Sequence, residues 1–218
     1  MDKYLIAFFI SLVGLLFLAI NAIHSLFLRK KIKTQTFDIF SIYLITMLII
    51  EVFCHILGMT DPGSNIFISH FYFNIQFIII TLFFGYLFYG KKKINRNLIL
   101  ISSLIIIVIL LSYLLNYFSF WEFNVLEIGL TSFTIVAYIF YYFYYNYEEL
   151  NVKFTYFFSG LAIYLVSSSG IFLSGNIDLI LIEDPFIDIW VFNSFLYILL
   201  QYFIFKELKI FIKHKANS

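Results

Sequence analysis

The sequence predicts an all-helical, polytopic integral membrane protein of seven transmembrane helices, its N-terminus outside and its C-terminus cytoplasmic. Three observations predict it. Of 218 residues, 62% are hydrophobic and only 12% charged, too little polar surface to solvate a globule of this length. Apolar runs of about 20 residues, the length that crosses the hydrocarbon layer, recur along the whole chain. Thirteen of the fourteen Lys and Arg residues fall on one side of the resulting layout, leaving only Lys3 on the other. Basic residues stay on the cytoplasmic side, which orients the bundle.

The first span, residues 4–28, is closed by Arg29, Lys30, Lys31 and Lys33. It reads as a helix rather than a cleaved leader, because its apolar stretch is long and no small-residue cleavage site follows. The second, 37–58, runs to the turn signature Asp61-Pro62-Gly63. The third, 66–89, stops at Gly90 and the basic run from Lys91 to Arg96. The fourth, 97–117, is almost pure Ile, Leu and Val apart from Ser102, Ser103 and Ser112, the composition of a lipid-facing helix. The fifth, 125–147, ends in a cluster of tyrosines, the mark of a membrane–water interface. The sixth, 154–174, carries Ser167-Ser168-Ser169 and Gly170, small residues that let helices approach closely. The seventh, 186–205, follows a loop at 175–185 and leads into a basic tail. These spans and their connectors occupy nearly the whole chain, as one membrane domain.

Internal similarity suggests a 3+1+3 parallel repeat of the kind found in some transporters. A shift of 117 positions lays Phe37 on Phe154, Leu44 on Leu161, Leu48 on Leu165 and Gly58 on Gly175.

Function is sought where ionisable groups enter the spans, since each costs several kcal/mol there and as a rule faces the bundle interior or a wet cavity. Glu51 reads as the only carboxylate buried in hydrocarbon. Glu51 and His55 share a helix face at i, i+4, and so do His70 and Asn74. Counting about 1.5 Å per residue from the helix ends brings Glu51, His70, Asn74, Ser168 and Asn193 to a similar depth in the outer part of the membrane, with His55 nearer the surface and Thr131 joining them. They form a candidate ligand or proton site in an outward-facing polar pocket. Removing a carboxyl from water favours its protonated form, and a neighbouring imidazole can share the proton. The remaining outer acids, Glu122 and Glu127 among them, read as solvated loop charges. Asn21, His24 and Gln201 fall in the cytoplasmic half.

Other chemistries lack their residues. The single cysteine, Cys54, excludes an internal disulfide. Only Glu51, His55 and His70 converge as metal ligands, and no His-Glu-x-x-His occurs. The serine triplet lacks a Gly-x-Ser-x-Gly elbow, and no glycine-rich phosphate loop is present. Nucleic acid finds no docking surface, because the basic residues hug the membrane edge, where anionic lipid attracts them. No cofactor is expected.

The topology resembles that of microbial rhodopsins and seven-helix receptors, but residues 186–205 hold no lysine for a retinal Schiff base, and Asp-Arg-Tyr and Asn-Pro-x-x-Tyr are absent. Sugar transporters of the 3+1+3 plan carry Pro-Gln pairs that do not occur here, and seven-span ceramidase-like hydrolases use a His-rich final helix that this chain replaces. No family is assigned. The expected function is small-solute or proton-linked transport or sensing. The alternatives are a membrane-embedded hydrolase acting on a lipid-like substrate, and a non-catalytic subunit that binds a partner protein. The expected partners are the bilayer and a small-molecule ligand, in a cell membrane of the bacterial plasma (inner) type. The topology is checked by reporter fusions after Lys31, Asp61, Lys93 and Glu122, which should alternate in, out, in, out; two adjacent fusions reporting the same side would refute it.

Overall fold

The computed structural model describes residues 3–60, 66–88, 92–118, 120–121, 124–149, 152–174 and 189–216. Every regular element among them is a helix: α1 (Lys3–Arg29), α2 (Gln35–Thr60), α3 (Ile66–Leu87), α4 (Lys92–Leu114), α5 (Val125–Tyr145), α6 (Thr155–Ser174) and α7 (Ile189–Ala216). The six from α1 to α6 are long and apolar enough to cross a membrane. The chain is therefore a polytopic membrane helical bundle, the class that keeps every backbone polar group paired where no water can reach it. The α7 helix continues past residue 205 to Ala216. The turn predicted at 61–63, Lys91, Glu122 and the loop at 175–185 lie outside the described residues.

The chain divides into two compact units. The first comprises residues 1–31 and 136–218, the second residues 32–135.

In the first unit α7 packs against both α1 and α6. It runs antiparallel to α6, where Tyr164 meets Tyr197 and Phe154 meets Phe211. The close approach depends on Gly160, since a Cβ there would lie 2.6 Å from the Cβ of Phe203. Along α1 the direction is parallel: Gly14 sits against Tyr197, and further along Asn21 donates from Nδ2 to the backbone carbonyl (2.9 Å) and Oε1 (3.1 Å) of Gln201. Of the serine triplet, Ser168 and Ser169 are buried and Ser167 is exposed, and Gly170 faces open space.

The start of α6 is held from outside its own sequence. The chain enters it through Phe154, whose φ of 59° is unusual for a bulky residue. The first amides of a helix lack intrahelical partners. Here the buried carboxylate of Glu207 on α7 accepts from the amides of Phe154 (3.0 Å), Tyr156 (2.9 Å) and Phe157 (3.3 Å). The helix's positive end and the carboxylate's charge offset one another.

In the second unit α3 is central, packed against α2 and α4. Its core is aromatic: Phe37, Phe40, Phe77, Phe83 and Phe84 are fully buried. Polar side chains of α3 each reach a different neighbour. Gln76 donates to the hydroxyl of Tyr43 on α2 (3.0 Å), and Thr81 shares a hydrogen bond with Ser102 on α4 (3.2 Å). The α4 helix exposes Ile99, Leu100, Leu104, Ile107 and Leu110, the apolar face expected of a lipid-facing span. It ends in a Schellman motif: Asn116 takes the left-handed conformation (φ 56°), its amide donates to Tyr113, and the Tyr117 amide donates to Ser112.

The Glu207 clasp gives a stability prediction. Replacing Glu207 with Ala strips three helix-start amides, two of them buried, of their acceptor and should cost about 3 kcal/mol, while Glu207→Gln, which keeps one acceptor oxygen, should cost less. Unfolding in mixed micelles measures both; equal stability of wild type and Glu207→Ala would refute the clasp.

Candidate functional site

The buried ionisable cluster of the second unit is not the one expected around Glu51. It forms where the start of α3, the end of α4 and the start of α5 come together, and its centre is Glu127. Glu127 is fully buried and His70 is 5% exposed, whereas the Glu51 side chain is 18% exposed. With Glu207 buried as well, the expectation that Glu51 is the only buried carboxylate is corrected twice over. Glu51 lies between buried Ile50 and exposed Val52, on a face that only partly enters the core.

Local sequence explains how Glu127 gets inside. After the α4 C-cap the chain doubles back, and Asn124 caps α5 by accepting the Glu127 amide at Oδ1 (3.0 Å). Asn124-Val-Leu-Glu127 has the spacing of a capping box. The Glu127 side chain, instead of returning to the cap, turns toward α3. Its Oε1 accepts from Asn74 Nδ2 (2.9 Å), which also donates to the His70 carbonyl (2.9 Å). Its Oε2 accepts from the Tyr113 hydroxyl and lies 3.1 Å from His70 Nδ1. The Tyr113 hydroxyl is in turn 2.8 Å from His70 Nδ1. Thr131 donates to the Glu127 carbonyl (2.7 Å), so it does stand beside the site, on the backbone side.

Phe120 closes the cluster. Its ring stacks on Tyr113 (4.7 Å between centroids, 13° between planes) and meets His70 edge-on, and its carbonyl lies 3.2 Å from His70 Nε2. Trp121 rests on Phe67 beside it.

The protons of this cluster can be counted. A carbonyl only accepts, so the contact with Phe120 requires a hydrogen on Nε2. Three atoms then form a triangle: His70 Nδ1, Glu127 Oε2 and the Tyr113 oxygen. Tyrosine brings one hydrogen, and a second, on either Nδ1 or Oε2, lets two of the three edges become hydrogen bonds. If it rests on Nδ1 the pair is imidazolium and carboxylate; on Oε2 both partners are neutral. The net charge is zero either way. Without that second hydrogen the cluster carries one net negative charge, facing the Tyr113 and Asn74 donors.

The other expected residues lie elsewhere. On α2, His55 Nδ1 donates to the Glu51 carbonyl (2.8 Å) and lies 3.8 Å from Glu51 Oε2, an i, i+4 pair. The expected partnership of Glu51 with His70 is replaced by His70 with Glu127. Ser168 and Asn193 belong to the first unit, where Ser168 Oγ and Asn193 Oδ1 are buried without a hydrogen-bond partner. Among the described residues no three His, Cys, Asp or Glu side chains come together as metal ligands. Sequence reasoning missed Tyr113, Asn124 and Glu127. The Asn-x-x-Glu spacing was the signal that places Glu127 inside the first turn of a span.

No protein-family model, no curated protein and no solved structure matches this chain.

The triangle predicts strong coupling between its members. In a double-mutant cycle of Tyr113→Phe and Glu127→Gln, the two stability losses should fall short of additivity by about 0.5–3 kcal/mol, the range for residues sharing one hydrogen-bond network. Additive losses would mean that the two side chains act independently.

Proposed function

We propose that this membrane protein works in proton-linked transport or sensing of a small solute, and that the proton is taken up and released at His70, Glu127 and Tyr113. The observation that carries this reading is the triangle of His70 Nδ1, the Tyr113 hydroxyl and Glu127 Oε2 around a fully buried carboxylate. An ionisable group within a membrane bundle is a functional site by default, and one whose occupied state is neutral can bind a proton without leaving charge in the hydrocarbon. The imidazole suits the role because its two nitrogens face opposite ways. Nδ1 addresses Glu127 and Nε2 addresses the Phe120 carbonyl, next to a half-exposed ring (53%). From the imidazolium, passing the Nδ1 hydrogen to Glu127 leaves the Nε2–H tautomer that the contact with the Phe120 carbonyl requires. Loss of the proton turns a neutral pair into a buried anion, and a solute or a helix rearrangement that stabilises that anion is thereby linked to proton release.

The test needs no known solute. Infrared difference spectra of the protein in vesicles, recorded as pH is stepped, should show a protonated-carboxyl band that disappears in Glu127→Gln and persists in Glu51→Gln. His70→Gln should remove the accompanying imidazole bands. A Glu127→Gln protein that is folded and gives wild-type difference spectra would show that the cluster only ties helices together.

A further inference from the structure

Three sequence segments far apart in the chain bring their positive charge to one end of the first unit. Parallel packing of α1 with α7 sets the two C-termini side by side, and the antiparallel α6 adds its N-terminus there. Arg29, Lys30 and Lys31 finish α1, Lys153 precedes α6, and Lys206, Lys209 and Lys213 line the last turns of α7, all exposed. Taking Gly14 beside Tyr197 as a common level, a rise of about 1.5 Å per residue puts Arg29 roughly 22 Å further along α1 and Lys206 to Lys213 roughly 13–24 Å further along α7. The charges thus occupy a band on the order of 10 Å deep, comparable to a lipid headgroup layer.

Two of the lysines are held back toward the hydrocarbon side. Lys206 Nζ lies 5.4 Å from the centre of the Tyr202 ring, and Lys209 Nζ lies 4.5 Å from that of Phe205, each ring one turn earlier in α7. The aromatic faces hold the ammonium groups close to the helix, with the stems alongside the rings. Among the described residues of this unit three carboxylates lie at this end. Glu148 and Glu149 are exposed on the segment after α5, and Glu207 is buried with its carboxylate engaged by the α6 amides. Among the described residues of this unit the band has several cations for two exposed carboxylates.

We infer that this end of the first unit is a binding surface for anionic phospholipid headgroups, formed by the ends of α1 and α7 and the start of α6. Phosphate oxygens accept from ammonium and guanidinium groups, and a leaflet supplies them as a layer that matches the depth of the band. The inference is independent of the proton site, which lies in the other unit.

The experiment uses the full chain in nanodiscs of phosphatidylcholine with or without phosphatidylglycerol, and measures the lipid retained by native mass spectrometry together with the thermal midpoint. Phosphatidylglycerol should be retained in preference to phosphatidylcholine and should raise the midpoint. Each basic side chain near an anionic surface contributes about fivefold in binding, so the triple variant Lys206→Gln, Lys209→Gln, Lys213→Gln should lose on the order of a hundredfold of the preference. The matching triple Lys→Arg variant should keep it. Equal retention of the two lipids, or identical behaviour of the Gln and Arg variants, overturns the inference. Stabilisation of the detergent-solubilised protein by inorganic phosphate to the same extent as by phosphatidylglycerol also overturns it, since the surface would then be reading free anions.

Discussion

A carboxylate taken out of water must be answered by donors or by a proton, and both units are organised around that constraint. In the second unit Glu127 draws its answer from side chains on two other helices: Asn74 and His70 from α3 and Tyr113 from α4. Because α5 supplies the carboxylate, the same contacts tie three helices at one end of the unit. Apolar faces alone discriminate poorly between neighbours in a bilayer, where lipid tails are as hydrophobic as leucine. Interhelical hydrogen bonds average only about 0.6 kcal/mol there, yet they specify which helix meets which and at what height. On α3 this is visible residue by residue, with His70 and Asn74 directed to α4 and α5, Gln76 to α2 and Thr81 to α4.

Glu207 meets the same constraint by other means. Its donors are backbone amides at a helix start, groups that keep their hydrogens and stay neutral across the physiological pH range. Glu127 has titratable partners instead, a histidine and a tyrosine. The two carboxylates are both buried, and they differ in the chemistry of their donors.

The helices were legible because a span of about 20 apolar residues is a long signal, and the caps were partly legible, as with Asn124-x-x-Glu127. The partners were not. Glu51 looked buried because it stands in the middle of a long apolar run, but position along a helix gives depth and not direction, and its neighbours Val52 and Phe53 face outward. Glu127 looked solvated because it follows a loop by three residues. Its burial depends on how that loop returns: the left-handed Asn116 ends α4, and Phe120 comes to lie over His70 and Tyr113. Nothing in the periodicity of either helix encodes that return. His70 and Asn74 were recognised by their i, i+4 spacing, which identifies a shared face without naming the helix that the face meets.

In the proposed proton site all three members stand near a helix end. His70 is four residues past the start of α3, Glu127 two past the start of α5 and Tyr113 one before the end of α4. At about 1.5 Å per residue, each lies within roughly 6 Å of its helix end. A carboxylate in the middle of the hydrocarbon would be equally dry but would need a long chain of relays to reach water. Here one imidazole spans the distance between the buried carboxylate and a half-exposed residue.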